Sequence, residues 1–275
     1  MDGTGPLHYG GGPLSVLTFR GKTKMAPFWR IAGSIALMAA AAGQARAEPW
    51  PDAACRVGIP VLERPETLAR TRQKIADKAP LTIVAFGSSS TEGVGASTPA
   101  AAYPARLEAL LRDRAGVDAR VINHGVGGET ILDMRARLNR DVLRVRPDLV
   151  IWQVGSNAAM RAMDPELFTD MLERETWRLR RDGADVILMD PQVAPEVDAR
   201  PGAAAIIAGV HAVAGREKIA LMPRHRIMEA WAASPAFPGR FVDPDGLHMN
   251  DLGYHCLAVL LAEGLTGAPL PELRR

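Results

Sequence analysis

Four short segments of the chain hold residue types that together could carry out acyl transfer. Gly87-Ser88-Ser89-Ser90-Thr91-Glu92-Gly93 offers hydroxyls, and Asn123-His124-Gly125-Val126-Gly127-Gly128-Glu129-Thr130 offers flexible backbone donors. Gly155-Ser156-Asn157 offers a side-chain amide, and Asp245-Gly246-Leu247-His248 an acid and an imidazole three residues apart. A nucleophile, its base, an orienter for that base and an oxyanion hole require this set of groups. Taken singly, each segment also has a plain structural reading: serine runs commonly cap helices, and glycine-rich stretches make tight turns. Phosphate-binding readings fail on individual residues. A GxGxxG begun at Gly125 meets Thr130 where its last glycine belongs, and one begun at Gly93 meets Thr98. No Gly-Lys-Ser/Thr follows either loop, and Thr91 breaks a GxSxG elbow centred on Ser89.

The six histidines, His8, His124, His211, His225, His248 and His255, form no HxxxH or HExxH pair, so no metal is expected. His211 and His255 fall on expected helices in packing or surface roles, and His225, between Arg224 and Arg226, reads as solvated. His124 ends a strand-like run beside the glycine-rich segment and is a secondary candidate for substrate contact.

The elements that must position these groups are legible as alternating patterns. Apolar runs at 81–87, 119–123, 148–155, 184–190 and 219–223 read as buried strands bounded by Gly, Pro or Asp. Amphipathic stretches at 102–114, 131–144, 165–181 and 202–216 read as helices, with a last helix at 251–264 capped by Asn250. Strands apolar on both faces, alternating with helices, imply a parallel sheet covered on both sides. Right-handed crossovers then give a flavodoxin-like, doubly wound α/β/α fold of about five parallel strands, with ligands bound where the strands end. The four chemical segments sit at or near such ends.

The chain has 275 residues, 47% hydrophobic and 23% charged, with a formal net charge of +2. The basic excess lies in residues 1–47, where Arg20, Lys22, Lys24, Arg30 and Arg46 face Asp2 alone, so the remainder is slightly acidic. That body lacks the basic surface a nucleic-acid binder needs. The apolar run at 31–42 follows Lys22, Lys24 and Arg30 and precedes Ala45-Arg46-Ala47, the pattern of a secretory signal. It falls short of the roughly 20 residues that span a bilayer, so no stable membrane anchor is expected after processing. Residues 1–47 are therefore expected to be an extension and signal peptide, starting at Met1 or Met25 and cleaved near Ala47. Residues 48–275 would be one domain, periplasmic or secreted. Two cysteines, Cys55 and Cys256, lie in that domain, and an even count in an oxidising compartment predicts a bridge between them.

In the order and spacing of its blocks the domain resembles the SGNH (GDSL) hydrolase family. The family's first block, Gly-Asp-Ser-x-Thr-x-Gly, falls on Gly87 to Gly93, and Thr91 and Gly93 set the register that makes Ser89 the nucleophile. The later blocks imply Gly128 and Asn157 as oxyanion-hole residues, with the Ser89 backbone N–H, and Asp245 and His248 as acid and base. Two positions depart from the pattern: Ser88 stands for the signature Asp, and Ala158 for the Asp that would close Gly-x-Asn-Asp. Both are supporting positions in the family. The resemblance implies an exported serine esterase, free of cofactors, that acts on O-acyl esters of a small molecule or glycan through an acyl-enzyme. Acetyl esters of glycans are one such class. A lysophospholipase or thioesterase, an acyltransferase to a sugar hydroxyl, and a non-catalytic binding module stay open at this point. So does the oligomeric state.

Overall fold

In the computed structural model, which describes residues 50–237 and 239–271, the five apolar runs form one parallel sheet. The strands are β1 (Leu81–Gly87), β2 (Ala119–Gly125), β3 (Leu149–Gln153), β4 (Asp185–Met189) and β5 (Ala220–Met222), in the order β2-β1-β3-β4-β5. This is the flavodoxin-like order, and the strand sequence reverses between β1 and β3. The expected signal peptide and its cleavage point lie outside the described residues.

Helices α1 (Asp52–Cys55) and α2 (Ala69–Ala76) precede β1, and α3 (Ser89–Glu92) and α4 (Tyr103–Ala109) connect β1 to β2. The expected helix at 102–114 is thus split, its second half widening into a π-helical turn at Leu110–Arg114. α5 (Ile131–Asp141) leads to β3, and α6 (Ser156–Met160) and α7 (Pro165–Arg181) lead to β4. α8 (Pro195–Asp198) and α9 (Ala203–Arg216) lead to β5, and α10 (Arg224–Ala233) and α11 (Asp251–Thr266) follow it.

Successive strand residues point to opposite faces, which explains the unbroken apolar runs. Ile83, Ala85, Leu149, Ile151, Ile187 and Met189 enter the core shared with α4, α10 and α11. Their neighbours Val84, Phe86, Val150, Trp152, Val186 and Leu188 enter the core shared with α5, α7 and α9. Two caps fix the helices nearest the site. Thr130 and Asp133 close a capping box at the start of α5, and the Asn250 side chain accepts the Gly253 N–H at the start of α11.

The segment at 224–226 corrects the sequence expectation. Arg224 opens α10 fully buried, donating through Nε to the Asp190 carbonyl and through Nη2 to Gln192 Oε1. His225 is held rather than solvated: its N–H donates to Asp190 Oδ1 and its ring lies 3.1 Å from Asp198 Oδ1. A buried acceptor set outweighs the polarity of this tripeptide, because an unpaired buried acceptor is costly to leave unmade. The other expected helix positions hold: His211 pairs with Asp190 at 2.8 Å and His255 is buried within α11.

Cys55 and Cys256 form a disulfide, with Cα atoms 4.9 Å apart and both residues fully buried. The bridge pins α1 to α11 across 201 residues of sequence. Trp231 Nε1 donates to the Cys55 carbonyl at 2.8 Å, and Arg114 reaches Asp52 at 2.6 Å, so the same arm is also held non-covalently. A loop of this length restricts the unfolded chain strongly, and measured gains for such bridges run at about 2–4 kcal/mol. The paired change Cys55→Ala and Cys256→Ala should lower the unfolding free energy by about that amount in a urea titration. The native protein, denatured without reductant, should show no titratable thiol.

Candidate active site

β1 ends at Gly87, and the chain turns at once into α3, whose first residue is Ser89. Ser89 therefore rides on the first turn of a short helix at the point where the strand order reverses. The turn is supported from the neighbouring strand. Gln153 ends β3, and its Oε1 accepts the Ser88 N–H at 2.9 Å, the Ser88 hydroxyl at 3.1 Å and the Thr91 hydroxyl at 3.3 Å. The loop with serine at position 88 is thus braced by a buried amide. Ala158, the other departure, is buried in the apolar core beneath α6, where a methyl group fits without a polar partner.

The acid and base come from the loop ahead of α11. Asp245 Oδ1 accepts the backbone N–H groups of Leu247 and His248, each at 2.9 Å, which fixes the carboxylate against its own loop. Asp245 Oδ2 lies 2.6 Å from His248 Nδ1, and His248 Nε2 lies 3.0 Å from Ser89 Oγ. A carboxylate can only accept, so Nδ1 carries the proton and Nε2 is left as the acceptor for the serine hydroxyl. Partial burial pushes the Asp245 carboxyl up, but the bonds from His248 and from two backbone N–H groups outweigh it and hold the carboxyl down at about 2. The acid is therefore ionised at any pH at which the protein would work. A bridge between Val242 and Met249 closes the loop, with the Asp243 N–H donating to the His248 carbonyl at 2.8 Å.

The glycine-rich segment follows β2 and packs directly against α3. A Cβ on Gly125 would fall 2.0 Å from the Glu92 nitrogen, so only glycine lets the two backbones approach. Gly128 has a φ of +76°, a region that side chains disfavour. Three side chains hold this loop. Glu92 accepts the Gly127 N–H at 2.8 Å, Arg161 donates to the Gly128 carbonyl at 2.7 Å, and Asn157 Nδ2 donates to the Glu129 carbonyl at 2.9 Å. Asn157 and Arg161 are one turn apart on the α6 segment and so hold consecutive carbonyls. An amide has two N–H donors, and the Glu129 bond uses one of Asn157's.

The structure thus brings Ser89, His248 and Asp245 into one hydrogen-bonded series, and ties Asn157 to the loop that carries Gly128. His124 stands apart, near the charges of Arg137, Arg140 and Asp141, with desolvation lowering its ring's proton affinity. Sequence reasoning missed Gln153, Arg161 and Arg137. The last is buried and donates to the carbonyls of Gly87 and His124, where β1 and β2 end. A glutamine closing an apolar strand was the one available signal among them. Among the described residues no group of His, Cys, Asp or Glu is placed to hold a metal ion, and no helix is long and apolar enough to cross a membrane.

Residues 54–268, nearly the whole described part, match the Non-GDSL lipase-like family. The chain belongs to that family. The chain is also similar to two named esterases. The chain is 32% identical over 142 residues to the esterase TesA of Pseudomonas aeruginosa, which covers 52% of this chain and 69% of that one. It is 31% identical over 98 residues to an arylesterase of Vibrio mimicus, spanning 36% of this chain and about half, 48%, of that protein. The crystal structure of TesA superposes with a TM-score of 0.58 at 26% identity, covering 68% of this chain and 98% of that one.

Proposed function

We propose that this Non-GDSL lipase-like protein is an ester hydrolase working through a serine acyl-enzyme, exported, and acting on short O-acyl esters of glycans. The observation that carries the reading is the continuous series Asp245–His248–Ser89, at 2.6 Å and 3.0 Å. Ser89 Oγ attacks the acyl carbon as His248 Nε2 takes its proton, and Asp245 stabilises the imidazolium that forms. The carbonyl oxygen, now negative, is met by the N–H groups of Ser89 and Gly128 and by the Asn157 amide. Collapse breaks the ester C–O bond, and His248 returns the proton to the leaving alcohol. Water, deprotonated by the same imidazole, then attacks the acyl-enzyme and frees Ser89 and the acid.

The two esterase relatives support ester hydrolysis, and the buried disulfide supports export. A short acyl group on a polar alcohol suits the rim of the site, where Glu92 and Arg161 are exposed and charged beside the Gly127–Gly128 loop. The test is a chain-length series of p-nitrophenyl esters together with an O-acetylated oligosaccharide. The acetate and butyrate esters should turn over at least as fast as the decanoate, since each added methylene that finds no apolar wall contributes nothing to the transition state. Acetate should also be released from the oligosaccharide. Rates that rise with chain length would replace this reading with a lysophospholipase or thioesterase, and acetyl groups recovered on an added sugar acceptor would replace it with a transferase.

A further inference from the structure

The connection after β4 supplies no member of the Ser89–His248–Asp245 series, yet its Gln192 reaches three of the four segments that carry the site. Gln192 is 1% exposed. Its Oε1 accepts from Ser156 Oγ at 2.7 Å and from Arg224 Nη2 at 2.9 Å, with Ser90 Oγ at the 3.5 Å limit of a hydrogen bond. Its Nε2 donates to the Leu247 carbonyl at 3.2 Å. Ser90 follows Ser89 in the chain, Ser156 precedes Asn157, and Leu247 precedes His248. One side-chain amide therefore sits between the nucleophile helix, the oxyanion helix and the base loop.

Chemistry fixes which way this amide points. A guanidinium can only donate and a backbone carbonyl can only accept, so Oε1 must face Arg224 and Nε2 must face Leu247. Arg224 is itself fully buried and anchored through Nε on the Asp190 carbonyl at 3.0 Å. Burial lowers its guanidinium to about 10, which leaves it charged at neutral pH. The bond to Leu247 adds to the loop's own contacts, the Val242–Met249 bridge and the Asp243–His248 bond, and to a long 3.5 Å bond from the Glu196 N–H to the Gly246 carbonyl, and it holds the residue next to His248.

We propose that Gln192 is a positioning residue for the ester hydrolysis, tying the base loop to the two helices so that His248 stays in line with Ser89. The proposal rests on the acyl-enzyme reading above. A displacement of about 1 Å between a nucleophile and its base lowers a rate by as much as about 10²-fold.

Two variants test it. Gln192→Glu keeps an acceptor for Ser156 and Arg224, and adds an ion pair to the latter, but places an oxygen opposite the Leu247 carbonyl. Gln192→Met fills the space and makes neither set of bonds. With p-nitrophenyl acetate, both should lose about 10- to 100-fold in kcat, with KM within about twofold of the parent. Gln192→Glu should melt close to the parent, and phosphonate labelling of its Ser89 should slow by the same factor as kcat. Parental kcat in Gln192→Glu overturns the proposal. So does a loss in Gln192→Glu that disappears on cooling well below its melting temperature, since the loss would then report unfolding alone. Failure of the underlying reading has a different signature: Ser89→Ala would itself stay active.

Discussion

Ser89→Ala will remove ester hydrolysis down to a residue of activity, a loss on the order of 10⁴–10⁶ in kcat. The size follows from what is lost. His248 Nε2, now 3.0 Å from a hydroxyl, would face a methyl group, and no covalent intermediate could form. Water activated by the imidazole could still be oriented by the oxyanion donors, which is why a small activity should survive. Position is tested separately from magnitude. A serine-directed phosphonate should label Ser89, and should still label it in Ser88→Ala and in Ser90→Ala. Those neighbours point elsewhere, Ser88 Oγ to Gln153 and Ser90 Oγ towards Gln192. A label mapped to Ser88 or Ser90, or an Ser89→Ala variant with parental turnover, would overturn the assignment of the nucleophile.

What could be read in advance, and what could not, follows the reach of each signal. Strands were legible because burial on both faces leaves apolar runs that end in Gly, Pro or Asp. β1 runs from Leu81 to Gly87 as expected. The expected runs at 148–155 and 184–190 overran β3 by Asp148, Val154 and Gly155 and β4 by Ala184 and Asp190, residues that flank the strands proper. α10 was hidden because Arg224-His225-Arg226 looks like a solvated turn, and only the tertiary fold brings Asp190 and Gln192 to it. The site divides the same way. Ser89, Asp245 and His248 stand in local motifs whose spacing carries meaning. Gln153, Gln192 and Arg161 act across 65, 55 and 33 residues of sequence, on Ser88, Leu247 and Gly128, and no local pattern marks them beyond the polar end Gln153 gives an apolar strand. The braces that replace a signature acid at position 88 are for that reason invisible until the strands are side by side.

Asn157→Ala should lower kcat on the order of 10²–10³-fold, about 3–4 kcal/mol, with little change in KM. The asymmetry between the two constants is the informative part. A donor aimed at the oxyanion strengthens its bond as charge develops, so its loss raises the barrier more than it weakens substrate binding. Asn157 has a second duty, however, because Nδ2 also donates to the Glu129 carbonyl at 2.9 Å. Alanine would release that carbonyl and loosen the loop that carries Gly128, and part of the loss could come from there. Arg161→Ala separates the two effects. It frees the adjoining Gly128 carbonyl, now held at 2.7 Å, but removes no donor assigned to the oxyanion. If Asn157 acts mainly as a donor, Arg161→Ala should cost no more than about tenfold in kcat, well short of the Asn157→Ala loss. Equal losses in the two variants would make loop order the dominant contribution, and an Asn157→Ala variant with unchanged kcat would remove Asn157 from the hole.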